Sequence, residues 1–212
     1  MEPFTRLTAI AAPLVRDNID TDAIIPSREM RSVSGEGLAG GLFAGWRYKA
    51  IGGRDPVPDF VLNQPRYGGA QILVTGANAG CGSSREHAVW ALAQYGFRAV
   101  VALSFNPIFQ GNCIANGVVP VCLSEGAVHA IAAALETGTE PLLTVDLERQ
   151  IVSLPESGEE WPFEIRPEAR EALLKGLDPI DQTLLLKSSI EAFRTADGKR
   201  RPWIYSAVGT AK

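Results

Sequence analysis

The chain has 212 residues, 46% of them hydrophobic, which is enough to bury one sizeable core. Its 24 acidic and 20 basic side chains leave a net charge of -4 with no run of Lys or Arg, which argues against a nucleic-acid-binding surface. No stretch approaches the roughly 20 apolar residues that span a bilayer, and the N-terminus lacks a basic flank followed by an apolar run, so a cytoplasmic chain with no membrane partner is expected.

Along the chain, residues 7–14 read as a strand that ends in the turn-forming segment 16–22, where Asp and Asn side chains can bond their own backbone. That acidic segment lacks the central glycine and distal glutamate of a calcium loop. Residues 27–66 are rich in Gly, Pro and charge, and predict a long loop carrying short helices. Residues 71–75 form an apolar run that reads as a buried strand. After a glycine-rich loop, Ala88, Ala91, Leu92 and Tyr95 recur at helical spacing, with Gly96 as the stop. A second buried strand is predicted at 98–103, then a helix capped by Asn106-Pro107 and closed by Gly117, then a strand at 118–122.

An alanine-rich helix is predicted at 125–135, with His129 as a structural member. Short strands at 143–147, 151–154 and 163–165 and a helix at 167–175 follow, and the polar tail from Ala196 is expected to fray. Periodicity alone gives a mixed α/β fold. Length and composition are read as one domain over residues 1–212, with a core at about 5–155 and a C-terminal helical extension at about 156–212.

The loop Gly80-Cys81-Gly82-Ser83-Ser84-Arg85-Glu86-His87 stands between the strand at 71–75 and the helix after it. A helix mouth offers unpaired N–H groups and the positive end of the macrodipole, and Arg85 adds a planar fork that matches a carboxylate, so a small acid is the expected ligand. The plainer reading is a capping box, since Ser83 and Glu86 have its spacing, with His87 as an ordinary helix-start residue. The loop fits neither the dinucleotide fingerprint, because arginine stands where a small residue is needed, nor the Walker loop, because no Lys-Ser or Lys-Thr follows.

Cys81, Cys113 and Cys122 are odd in number and widely spaced, which fits a reducing compartment and neither a disulfide framework nor a zinc or iron–sulfur site. Cys113 and Cys122 are read as packing residues, and Cys81, beside the loop, as a thiol open to oxidation.

As a whole, the Gly82-Ser83-Ser84-Arg85-Glu86-His87 string resembles the signature of the swivelling domain of the aconitase superfamily. The resemblance extends through Asp17-Asn18-Ile19-Asp20-Thr21-Asp22-Ala23-Ile24-Ile25-Pro26, residues 42–47 and 58–63, Ser104-Phe105, Ile108-Phe109, residues 112–121 and Gly176-Leu177-Asp178. Length and order are similar to those of the bacterial small-subunit family of 3-isopropylmalate dehydratase. That likeness implies a three-layer β/β/α swivelling domain and a hydro-lyase of leucine biosynthesis that works by elimination and readdition of water.

It further implies that the chain acts only with a large partner subunit. The 4Fe-4S cluster is expected in that partner, and no cofactor or metal is expected on this chain. The substrate would be a small dicarboxylic hydroxy acid. Residue by residue, Ser83 matches the catalytic base, and Ser84 and Arg85 match substrate-binding positions. Thr21 and Asp22 match a Thr-Asp pair at the edge of the site and are grouped with the substrate-binding positions, where Asp22 would position a cationic partner side chain.

Substrate choice in the family is set after Pro26. Here Ser27-Arg28-Glu29-Met30-Arg31 departs from the common lysine-then-apolar pattern, and Ala79 stands where a phenylalanine is usual. Arg28 is the candidate for reading a second carboxylate, against a solvated loop arginine. Two alternatives therefore stay open: a related dehydratase acting on methylmalate and citraconate or on homocitrate and homoaconitate, and a non-catalytic paralogue that serves as a binding module.

Overall fold

The computed structural model describes residues 1–30, 37–83 and 85–205. Two compact units are present, Met1–Gly176 and Leu177–Lys212.

The first unit is built on a seven-stranded mixed sheet in the order β4-β3-β2-β1-β5-β6-β7. Strand β1 (Arg6–Leu14) leads to the short helix α1 (Thr21–Ile24) and, beyond residues 31–36, to α2 (Ala44–Arg47); among the described residues four 3-10 turns lie between α1 and the next strand. These connect to β2 (Ile72–Thr75), α3 (Glu86–Tyr95), β3 (Ala99–Ala102), α4 (Pro107–Ala115) and β4 (Val119–Cys122). Helix α5 (Glu125–Thr137), β5 (Leu142–Asp146), β6 (Ile151–Ser153), β7 (Glu160–Pro162) and α6 (Pro167–Lys175) complete the unit.

Strand β1 is the junction. Its C-terminal half pairs in parallel with β2, Ala11 opposite Ile72 through Leu14 opposite Thr75, while its N-terminal half pairs antiparallel with β5. Strands β1 to β4 are thus parallel, and β2, β3, β4 and the C-terminal half of β1 are nearly all buried, which explains their continuous apolar runs.

Side chains alternate cleanly across the sheet. Ala12, Leu14, Leu73 and Val100 meet α3 and α4 in one cluster that includes Leu92, Phe109 and Cys113. Ala11, Ile72, Val74, Ala99 and Val101 meet α5 in the other, which includes Val128, Ile131 and Leu135. Cys122 of β4 and Trp161 of β7 line one cavity of about 490 Å³, so the sheet curls until its two ends approach each other. This is the expected α/β class.

Two expectations are corrected. The last strand lies at Glu160–Pro162 rather than at 163–165; Phe163 is buried instead, its N–H bonding the Gln150 carbonyl just beyond the ladder. The tail from Ala196 is helical as far as the description runs. In the second unit, α7 (Pro179–Leu184) is followed by α8 (Lys187–Arg200) and α9 (Pro202–Tyr205). Asp197 holds that end by accepting from Arg201 Nε at 2.7 Å and Tyr205 Oη at 3.0 Å, and the bond from Arg201 lowers the Asp197 pKa from its ordinary value. Residues 206–212 lie outside the described residues.

Candidate active site at the mouth of helix α3

Three loops meet at the carboxyl ends of the parallel strands, where open α/β sheets place their ligands. Residues 15–20 leave β1, 76–85 leave β2 and 103–106 leave β3. Backbone bonds stitch them together. Asn18 N–H donates to the Ala77 carbonyl (2.8 Å), Gly80 N–H to Ile19 (2.8 Å), Thr21 N–H to Cys81 (2.9 Å), Ala79 N–H to Ser104 (2.9 Å) and Asn106 N–H to Ala79 (2.9 Å).

Side chains tighten the seam. Asp17 Oδ1 accepts from Ala77 N–H at 2.7 Å, Ser104 Oγ from Asn78 N–H at 2.8 Å, and Asn78 Nδ2 donates to Asn18 Oδ1 at 2.9 Å. Asn18 and Asn78 both adopt positive φ, which asparagine tolerates better than most side chains. Gly80 sits at φ +72 directly above the ring of Phe109, where a Cβ would lie 2.0 Å from Cγ.

On this frame the candidate residues converge. Asp20 caps α1 by accepting from Ala23 N–H at 2.6 Å, which sets Thr21 and Asp22 as the first two helical residues. Thr21 Oγ1 lies 3.1 Å from Ser83 Oγ, and Asp22 Oδ1 lies 2.9 Å from Arg85 Nη1. Thr21 is wholly buried, whereas Ser83 is exposed. Arg85 and Asp22 keep 35% and 57% of their side-chain surface in water, so the ion pair is open to a competing carboxylate.

The capping-box alternative is not what forms. Arg85 is the N-cap residue of α3, without a side-chain cap bond, and Ser83 precedes it by two positions. Glu86 Oε1 instead accepts from Asn116 Nδ2 at 3.0 Å, and His87 packs on Trp90. Ser84 lies outside the described residues.

Arg28 is placed by other contacts. Its Nε lies 3.6 Å from Glu29 Oε1 and its Nη2 lies 3.9 Å from where a Cβ on Gly45 would stand, while Glu29 also pairs with Arg54 at 2.7 Å. The Glu29 hydrogen bond raises the Arg54 pKa. Ala79 is buried against Phe105 and Phe109, in a wall around a void of only about 10 Å³. Cys113 is fully buried and its thiol pKa is driven far up by desolvation; burial also raises that of Cys122. Cys81 is half-buried at the start of the loop.

Among the described residues no group of three or more His, Cys, Asp or Glu is disposed to hold a metal, and no helix is long and apolar enough to cross a membrane. A cleft of about 740 Å³ runs beside β1, lined by Arg16, Trp46 and Asp59 among others, but Thr21, Ser83 and Arg85 are not in its wall. The mouth of α3 lies open at the surface, with Ser83 exposed.

The loop seam is what the sequence reading missed. Its signals were Asn18 and Asn78, each beside a position where the chain turns sharply.

The fold and the site belong to the aconitase C-terminal domain class, whose family model matches residues 1–126; LeuD_N matches residues 131–167. The 3-isopropylmalate dehydratase small subunit of Cupriavidus necator is 57% identical over 97% of this chain and 99% of its own length. The small subunit of Rhodospirillum centenum is 47% identical over 96% and 98%. The solved 3-isopropylmalate dehydratase from Methanocaldococcus jannaschii superposes with a TM-score of 0.63 at 25% identity, over 90% of this chain and 99% of that one. The chain belongs to the family of 3-isopropylmalate dehydratase small subunits.

Proposed function

We propose that this chain is the small subunit of a hydro-lyase that interconverts 2-isopropylmalate and 3-isopropylmalate through 2-isopropylmaleate, and that it works only when joined to a large subunit. The observation that carries the reading is the pairing at the α3 mouth, where an exposed Ser83 hydroxyl is hydrogen-bonded from beneath and stands two residues from Arg85.

The proton to be removed lies on a carbon α to a carboxylate and is very weakly acidic. Removing it calls for a strong base and for cations that stabilise the charge spreading onto the carboxylate. Ser83 Oγ, as the alkoxide, takes that proton. Arg85 receives the carboxylate bidentately, exchanging part of its pairing with Asp22 for the substrate, and Ser84 is the further substrate-binding residue that the family resemblance implies. Asp22 meanwhile keeps the guanidinium aimed at the mouth before substrate arrives. In the reverse direction Ser83 returns its proton to the unsaturated acid.

The Lewis acid for the departing hydroxyl, an iron–sulfur cluster in this family, would come from the large subunit, since the three cysteines here are scattered. Arg28, held by Glu29 at the start of the specificity segment, is proposed to tune the pocket edge.

The test is anaerobic reconstitution with the host's large subunit, following ultraviolet absorbance of the unsaturated acid formed from 3-isopropylmalate. Both subunits together should produce the signal and neither alone. Ser83→Ala should lower kcat by about 10³-fold or more while the complex still assembles. Turnover of methylmalate or homocitrate in place of isopropylmalate would move the substrate. Silence with all three, despite a loaded cluster and an assembled complex, would refute catalysis.

A further inference from the structure

We infer that Thr21 is a positioning residue whose buried hydroxyl holds and acidifies Ser83, and that it does not touch the substrate. The inference rests on the proposed role of Ser83 as base and deepens it.

The family resemblance groups Thr21 with the substrate-binding positions, but its surroundings do not. Thr21 has no solvent-accessible surface, its N–H is bound to the Cys81 carbonyl at 2.9 Å, and its carbonyl accepts from Ile25 N–H at 2.9 Å. What remains is the hydroxyl, which meets Ser83 Oγ at 3.1 Å. A buried hydroxyl is costly without a partner, and valine would fill the same volume, so packing alone gives no reason for threonine here.

The geometry is built from three sides. The Asp20 cap fixes the first turn of α1, β-branching limits the rotamers of Thr21, and Gly82 at φ +90 brings the loop so close that a Cβ there would lie 3.3 Å from Asp20 Cβ and 3.6 Å from Thr21 Oγ1. The bond therefore meets Ser83 on its protein side and leaves its outer side to the substrate.

While both hydroxyls are neutral, either can donate. Once Ser83 has lost its proton only Thr21 still has one to give, so the bond then runs from Thr21 Oγ1–H to the alkoxide. A donor to the charged form lowers the pKa of the group that receives it. The proton on Thr21 never leaves; the one that moves comes from the substrate carbon to Ser83.

Thr21→Val and Thr21→Ser, each assembled with the large subunit, test this through the pH dependence of kcat and kcat/KM. In Thr21→Val, kcat should fall about ten- to a hundredfold with KM within about twofold, and the acidic limb should move up by about one unit. Thr21→Ser should restore most of both. If Thr21→Val does not fold, Thr21→Ala reads the same limb. An active wild type whose valine or alanine variant keeps its kcat and acidic limb overturns the inference alone, as does a serine variant that fails to rescue. A wild-type complex inert toward isopropylmalate removes the proposed function and this inference with it.

Discussion

Gly80 shows how one residue sets the position of the loop. It adopts φ +72, and a Cβ at this position would collide with the Phe109 ring, whose side chain is fully packed and stacked on Phe105. Gly80→Ala must therefore strain the backbone and displace a ring at once, which should cost about 2–4 kcal/mol in urea unfolding. Gly96→Ala is the control: φ is +118 but no atom lies within 4 Å of the added carbon, so about 1 kcal/mol is expected. Ser83, Arg85, Thr21 and Asp22 were legible as candidates from their motifs. The bond between Thr21 and Ser83 was not, because the residues stand 62 positions apart and meet only through the parallel pairing of β1 with β2. Arg28 shows the converse: its charge drew attention to a ligand, while its position depends on Glu29, whose side chain is nearly buried and also holds Arg54.

At the scale of elements, strong local signals were read correctly and weak ones were not. Asn106-Pro107 starts α4 as its chemistry dictates, with Asn106 Oδ1 accepting from the N–H groups of Ile108 at 3.0 Å and Phe109 at 3.4 Å. Asn106→Ala should cost about 1 kcal/mol by denaturant midpoint. Because α4 carries Phe109 under Gly80, amide exchange in residues 79–82 should speed up with it. The β2 and β3 runs were legible because both faces are buried. Strand β7 was not: Glu160, Trp161 and Pro162 carry one half-buried residue between two exposed ones, so their pairing with β6 depends on backbone bonds that leave little apolar pattern. The continuation of helix α8 past Ala196, inside the helical extension that was expected, was hidden for a similar reason. Its apolar residues are few, and its end is held by the polar contacts of Asp197.

At the scale of the whole chain, folding energy is unevenly distributed. Among the described residues, both hydrophobic clusters are composed of residues from Met1 to Leu174, and the strand pairings extend no further than Pro162. The first unit is also closed at its ends. The Met1 amino group donates to the Gly176 carbonyl at 3.0 Å, and Gly176, at φ +67, lies where a Cβ would come within 2.6 Å of the Met1 carbonyl oxygen. Leu177–Lys212, by contrast, exposes Ile180, Leu184, Leu185, Leu186, Phe193 and Trp203, and its local order rests on contacts such as the Asp178 capping box and the Asp197 corner. Apolar burial is the dominant favourable contribution to folding, so a chain ending at Gly176 should keep nearly all of it. Residues 1–176 should unfold in one cooperative urea transition within about 1 kcal/mol of the full chain, with a smaller m-value in proportion to the lost surface. Near-UV circular dichroism from Trp46, Trp90 and Trp161 would report intact packing. A truncated chain that melts broadly, or loses several kcal/mol, would show that the C-terminal unit takes part in the folding of the first.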